Sequence, residues 1–247
     1  MGIFQCFLAI IVLLPALCTS QDTFTRSRAT YYGSQDCYGT PTGACGYGEY
    51  GRTVYDGQVA AVARLYRNGT GCGGCYQVRC TYPPHCSSDG VHAVVTDYGE
   101  GDRTDFILSS RAYAKLGNSP TSTATLFAYG VVDIEFRRVP CQFSNANLVF
   151  KVHENSRYPG YLAIVIQYVA GQNDITAVEL WQEDCKQWRG MRRAYGAVWD
   201  TSSPPSGSID MRFQVSGSAG LKWMQATNAI PSNWKTGAVY ATAIQLN

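Results

Sequence analysis

Cysteine placement constrains this chain more than any other feature. Of its ten cysteines, Cys6 and Cys18 sit in an apolar leader, seven lie from Cys37 to Cys141, and only Cys185 lies beyond. The leader runs apolar from Phe7 to Leu17, followed by Cys18, Thr19 and Ser20. A bilayer span needs about 20 apolar residues, so this run is too short. It fits a secretory signal peptide, residues 1–20, cut near Ser20–Gln21, although its first residues carry no Lys or Arg. Eight cysteines in an exported chain imply a disulfide framework. The sequon Asn68-Gly69-Thr70 is an N-glycosylation acceptor that matters only along that same route. The expected localisation is therefore extracellular.

The cysteines also divide the chain. A cysteine-rich, glycine-rich first unit is expected over residues 21–143, and a cysteine-poor second unit over 147–247, joined by a short linker without periodicity. Strands are expected in the first unit at Tyr76–Arg79, Val91–Thr96, Asp105–Leu108 and Val131–Val139, with a short helix over Arg111–Leu116 capped by Ser109 or Ser110. This pattern is that of a small β-barrel. The second unit shows strand patterns at Leu148–Val152, Leu162–Val169, Ile175–Trp181, Ala194–Trp199, Ile209–Val215, Leu221–Ala226 and Val239–Leu246. Ile209, Met211, Phe213 and Val215 alternate with Asp210, Arg212 and Gln214, so that strand is half buried. With no helical pattern between strands, an antiparallel sandwich is expected.

A net charge of +2 without a basic stripe gives no basis for nucleic-acid binding or electrostatic membrane attachment. The sequence contains 17 tyrosines and 5 tryptophans, enough to supply binding faces as well as core. The pair Cys72-Gly73-Gly74-Cys75 lacks the βαβ context of a redox motif and the second ligand pair of a zinc site, so structural cysteines are expected and no metal or cofactor. Four acids cluster at Asp97, Glu100, Asp102 and Asp105, in a spacing that does not match a calcium loop. Asp97 ends the apolar strand Ala93-Val94-Val95-Thr96, where a carboxylate can face a groove.

Several motifs together resemble the plant expansins. They are Ala29-Thr30-Tyr31-Tyr32-Gly33, the stretch Gly71-Cys72-Gly73-Gly74-Cys75-Tyr76-Gln77-Val78-Arg79-Cys80, Val95-Thr96-Asp97, and Val132-Asp133-Ile134-Glu135-Phe136-Arg137-Arg138-Val139-Pro140-Cys141. In the second unit Gly160-Tyr161-Leu162-Ala163, Gly196-Ala197-Val198-Trp199 and Pro231-Ser232-Asn233-Trp234 resemble the expansin carbohydrate-binding domain. The resemblance implies an all-β protein: a double-psi β-barrel like that of family-45 endoglucanases, followed by an immunoglobulin-like β-sandwich. It also implies the pairings Cys45–Cys72, Cys75–Cys141 and Cys80–Cys86. Cys37 and Cys185 are left either to bridge the two units or to stay unpaired.

Two departures bear on chemistry. Glycoside hydrolysis uses two carboxylates, yet Thr30-Tyr31-Tyr32-Gly33, equivalent to the endoglucanase strand that carries the base, has none. Most expansins carry a second acid in a His-Phe-Asp motif, and here Asp105-Phe106-Ile107 puts isoleucine at the acid position. That loss makes the chain look like the expansin-like A branch. Asp105 and Ile107 share a strand face, roughly 7 Å apart, so Asp105 is a candidate displaced partner for Asp97. By resemblance Thr30, Tyr31, Tyr32, Tyr161 and Trp199 form a glycan-binding strip, while Trp181, Trp188, Trp223 and Trp234 are read as core or fold residues. The expected protein is a monomer whose partners are wall polysaccharides, cellulose or matrix glycans, and which loosens their noncovalent contacts without hydrolysis. The alternatives are a binding module without loosening activity, and a residual glycoside hydrolase.

Overall fold

Short apolar strands separated by glycine-rich turns can bury their side chains only by closing on themselves or stacking in two layers, and this chain does both. The computed structural model describes residues 23–101, 104–144, 146–218 and 220–246. The leader lies outside them, as does Asp102. Strands β1 (Thr25–Tyr32), β2 (Val59–Val62), β3 (Cys75–Cys80), β4 (Val91–Tyr98), β5 (Phe106–Ser109) and β6 (Val132–Val139) close into a barrel in the order β1-β5-β2-β4-β3-β6. Its interior is filled by Ala29, Val62, Val78, Val95, Phe106, Leu108 and Ile134, all nearly inaccessible. The fold is all-β, with helices α1 (Glu49–Thr53), α2 (Ser110–Ala114) and α3 (Pro120–Tyr129) on the barrel loops. Helix α2 is capped by Ser109, which accepts from the Ala112 amide, and α3 by Ser119, with Pro120 in its first turn.

Beyond the barrel, β7 (Val149–Val152), β8 (Tyr161–Gln167), β9 (Asp174–Gln182), β10 (Gln187–Gly190), β11 (Arg192–Tyr195), β12 (Val198–Ser202), β13 (Ile209–Gly217), β14 (Gly220–Ile230) and β15 (Val239–Ala241) form two stacked sheets. Their orders are β10-β9-β13-β14 and β11-β12-β8-β7-β15. Leu148, Phe150, Leu162, Ile164, Leu180, Met211 and Phe213 fill the space between the sheets. The predicted strand Ala194–Trp199 splits into β11 and β12, because Gly196, at φ 47, turns the chain between them. Residue patterns alone mark neither β1 nor β2, although the resemblance sets Thr30–Gly33 against an endoglucanase strand. β1 is polar along most of its length and buries only Ala29, while β2 is a four-residue run, buried throughout, inside the glycine-rich segment.

The two lobes share a core. Ala163, Val165, Ala197 and Val198, on the barrel-facing side of the five-stranded sheet, belong to the same buried cluster as Cys45 and Tyr47. The backbones meet directly: the Ala197 amide donates to the Cys45 carbonyl at 2.9 Å, and Cys141 and Gly171 exchange two hydrogen bonds of 2.9 Å. Asp174 of the sandwich pairs with Arg67 at 2.7 Å and Arg138 at 2.9 Å, both on the barrel. Close approach requires glycine here. A Cβ on Gly69 would lie 2.3 Å from the Gly196 carbonyl oxygen, and one on Gly196 would lie 2.3 Å from that of Ala44.

Disulfides join Cys45 to Cys72, Cys75 to Cys141 and Cys80 to Cys86. The open alternative of a Cys37–Cys185 bridge is not realised. Both are free and exposed, Cys37 on the loop after β1 and Cys185 on the turn between β9 and β10. The tryptophans also need correction. Trp234 is core at 3 % exposure, but Trp223 is 39 % exposed on the outer face of the four-stranded sheet. There the Arg212 guanidinium lies between the rings of Trp188 and Trp223, at 4.7 and 4.6 Å, an arrangement that satisfies the aromatic faces with a cation rather than with core. Asn68 is exposed in a turn at φ 53.

Replacing Gly196 by Ala combines a positive φ with a backbone collision and should lower stability by roughly 1–3 kcal/mol, read as a fall in unfolding midpoint. A thiol-reagent titration of the native protein beginning at Gln21 should find two reactive groups, Cys37 and Cys185; a count of none would contradict the disulfide assignment.

Candidate functional site

Strand register builds the site. Thr30 pairs with Ile107, Ile107 with Ala61, and Ala61 with Asp97, so these four residues form one row across β1, β5, β2 and β4. A register shift between Ala60 and Ala61 lets β4 carry one extra residue there and brings Asp97 into the row. Asp97 Oδ1 accepts from the Ala44 amide at 2.6 Å and from the Tyr98 amide at 2.8 Å. Gly43 makes room for this carboxylate: a Cβ there would sit 3.3 Å from Asp97 Cγ and 2.6 Å from the Thr96 carbonyl oxygen.

The position that would carry a second acid in the row holds Ile107. Its side chain lies over Gly99, where an added Cβ would meet Ile107 Cδ1 at 2.9 Å. Asp105 does not take over that role, because both its oxygens are engaged. It accepts from Arg64 Nε at 2.9 Å and Nη2 at 2.6 Å, and from Ser27 Oγ at 2.6 Å. The Arg64 guanidinium holds the Asp105 carboxyl below its usual range, against the opposing effect of burial. Asp105 thus ties β1 to the loop after β2. Glu100 is exposed and accepts from the Tyr98 hydroxyl.

The five residues expected to form the strip separate. Tyr32 is beside Asp97: burial, and then the Asp97 charge, push its phenol well above the usual range. The Tyr32 hydroxyl is buried with no hydrogen-bond partner among the described residues. Tyr31 is instead packed between Tyr113 and Phe127, at ring centroid distances of 4.8 and 4.7 Å. Thr30 spends its hydroxyl on the Gly130 carbonyl at 2.9 Å. Trp199 is 5 % exposed, inside the sandwich core with the Arg193 guanidinium over its ring, so it is not a stacking surface. Tyr161 begins the central strand β8 and is half-buried, its hydroxyl donating to Asp200 at 2.8 Å.

Three tyrosines that the sequence reading passed over complete a surface. Tyr98 is 44 % exposed, with its ring 5.2 Å from that of Tyr66. Tyr195 is 43 % exposed and lies against Gly46, where a Cβ would come within 2.9 Å of its ring. The Tyr66 hydroxyl donates to the Ala44 carbonyl at 3.2 Å, two residues from the Gly46 that Tyr195 lies against, and strand register puts Tyr195 and Tyr161 on the same face of the five-stranded sheet. Tyr195 Oη is 3.1 Å from His153 Nε2, and the Asn155 amide donates to His153 Nδ1. That places the imidazole proton on Nε2, pointing at Tyr195. Burial lowers the His153 pKa, consistent with a neutral ring. Tyr98, Tyr66, Tyr195 and Tyr161 therefore extend from the barrel, beside Asp97 and Tyr32, across the lobe boundary onto the barrel-facing side of the five-stranded sheet. A flat polyhydroxylated chain is the ligand such a line of phenols can stack. Among the described residues, no group of three His, Cys, Asp or Glu side chains could hold a metal ion.

A family model described as "Expansin C-terminal domain" matches residues 148–231, and the double-psi barrel model described as "Lytic transglycolase" matches residues 58–136. Expansin-like B1 of Arabidopsis thaliana is 56 % identical over 97 % of this chain and 96 % of its own length. The chain belongs to the expansin family. Within the family the expected A-branch likeness is corrected: expansin-like A1 of the same plant is only 35 % identical, over all of this chain and 94 % of its own. Loss of the His-Phe-Asp motif therefore does not mark the A branch. The fold also matches an expansin of Clavibacter michiganensis, solved as a mutant in complex with cellohexaose. The TM-score is 0.65 at 20 % identity, covering 90 % of this chain and 97 % of that one.

Because its folded pKa is depressed, Asp105 contributes stability above its unfolded pKa of about 3.9, and this is lost as pH falls through the folded value. Asp105→Asn should therefore cost on the order of 1 kcal/mol near neutral pH, the low end for a charged hydrogen bond because Arg64 is solvent-exposed. The gap from wild type should close below about pH 4. A gap that persists at low pH would contradict the pairing.

Proposed function

We propose that this expansin-family protein is exported to the plant cell wall after loss of residues 1–20. In this reading it binds wall polysaccharide along the tyrosine line and loosens noncovalent cellulose–matrix contacts without hydrolysis. Residues 21–143 would form the groove unit and residues 147–247 the binding unit, acting as a monomer, with Asn68 available to a glycan. The observation that carries the reading is the set Tyr98, Tyr66, Tyr195, Tyr161 spread across both lobes beside a single in-row carboxylate, Asp97. The cellohexaose complex of the bacterial expansin supports a β-glucan ligand.

The absence of a second acid in the row argues against the two-carboxylate hydrolytic mechanism. Asp97 then acts by hydrogen bonding. With Oδ1 held by two amides, Oδ2 can accept from sugar hydroxyls that would otherwise join neighbouring chains. Ile107 also favours a second reading, in which the protein binds glycan without loosening it.

Creep of isolated walls with simultaneous measurement of soluble reducing sugar separates these readings. Extension without sugar release is expected; sugar release abolished in Asp97→Asn would select the hydrolase, and binding without extension the second reading. Tyr195→Ala and Tyr161→Ala should each weaken cellohexaose binding by roughly threefold to tenfold, while Trp199→Phe should leave it unchanged.

A further inference from the structure

Beside Tyr161, residues of β10, β11, β12 and the start of β8 form a cleft of about 410 Å³ lined by Tyr161, Arg189, Arg192, Asp200, Thr201 and Ser202. Asp200 anchors it. Its carboxylate is 3 % exposed and accepts from Arg192 Nε at 2.9 Å, Arg192 Nη2 at 2.6 Å and the Tyr161 hydroxyl at 2.8 Å. A buried carboxylate with three donors stays ionised, and the Arg192 guanidinium holds its pKa low. Arg192 and Tyr161 are thereby fixed in place, and the charge of that trio cancels.

What remains is a cation. Arg192 keeps Nη1 free of its Asp200 fork, and Arg189 is exposed with no ion pair among the described residues. One net positive charge therefore faces a cleft that also presents a phenol ring and two hydroxyl side chains. A neutral glucan would leave that charge without a counterpart, whereas a sugar bearing a carboxylate would match it with the forked geometry that guanidinium favours.

We propose that this cleft is a subsite for a uronic-acid residue of an acidic polysaccharide, its ring on Tyr161 and its carboxylate on Arg189 and Arg192 Nη1. This rests on the reading of the tyrosine line as a glycan-binding surface. Calorimetric titration of the full protein from Gln21 onward with trigalacturonate and with cellohexaose tests both. Wild type should bind both, trigalacturonate more weakly as salt rises. Arg189→Gln should lose about tenfold in affinity for trigalacturonate and none for cellohexaose, and Arg189→Lys should recover part of the loss. Cellohexaose binding without trigalacturonate binding, or an Arg189→Gln protein indistinguishable from wild type, would overturn the subsite alone. Failure of wild type to bind either ligand would overturn the glycan surface with it.

Discussion

Residues 43–46 form the loop on which the site depends. The Ala44 amide holds Asp97, its carbonyl accepts from the Tyr66 hydroxyl, the Cys45 carbonyl accepts from Ala197 of the sandwich, and Gly46 lies against Tyr195. Four residues thus touch the Asp97 carboxylate, two of the four tyrosines and the neighbouring lobe. An irregular loop would ordinarily move too freely to hold four such contacts. Here the Cys45–Cys72 disulfide fixes it to the segment that carries Gly69, whose backbone meets Gly196.

This explains why the lobes work as one surface without a disulfide between them. Cys37 and Cys185 are free. The seam is held instead by backbone hydrogen bonds at Cys45–Ala197 and Cys141–Gly171, by apolar side chains shared across the boundary, and by Asp174 between two arginines. Shared burial resists bending over a whole face, where a single bridge would leave a hinge. Similarly, Asp105 with Arg64, and Asp200 with Arg192, spend carboxylates on holding strands and rings in position.

The sequence made part of this legible. Alternation identified β13 because that pattern is local, and the expansin-like motifs indicated a barrel followed by a sandwich. Asp97 could be singled out because the apolar run before it marks a strand end. The fates of Trp199 and Tyr195 were hidden, since both lie in one short segment and only the Gly196 turn decides which ring faces the core and which faces solvent. Asp105 resembled a groove acid for the same reason: strand parity places it correctly, but its arginine partner lies 41 residues away in sequence. Tyr66 and Tyr98 had no local signal at all, as their meaning comes from contacts made across the barrel.

The central claim is that one ligand chain engages both lobes together. Amide chemical-shift mapping with cellohexaose measures this directly. The account predicts that Tyr66 and Tyr98 of the barrel and Tyr161 and Tyr195 of the sandwich shift along the same titration curve, with one affinity. Shifts confined to one lobe, or two lobes titrating with separate affinities, would contradict it.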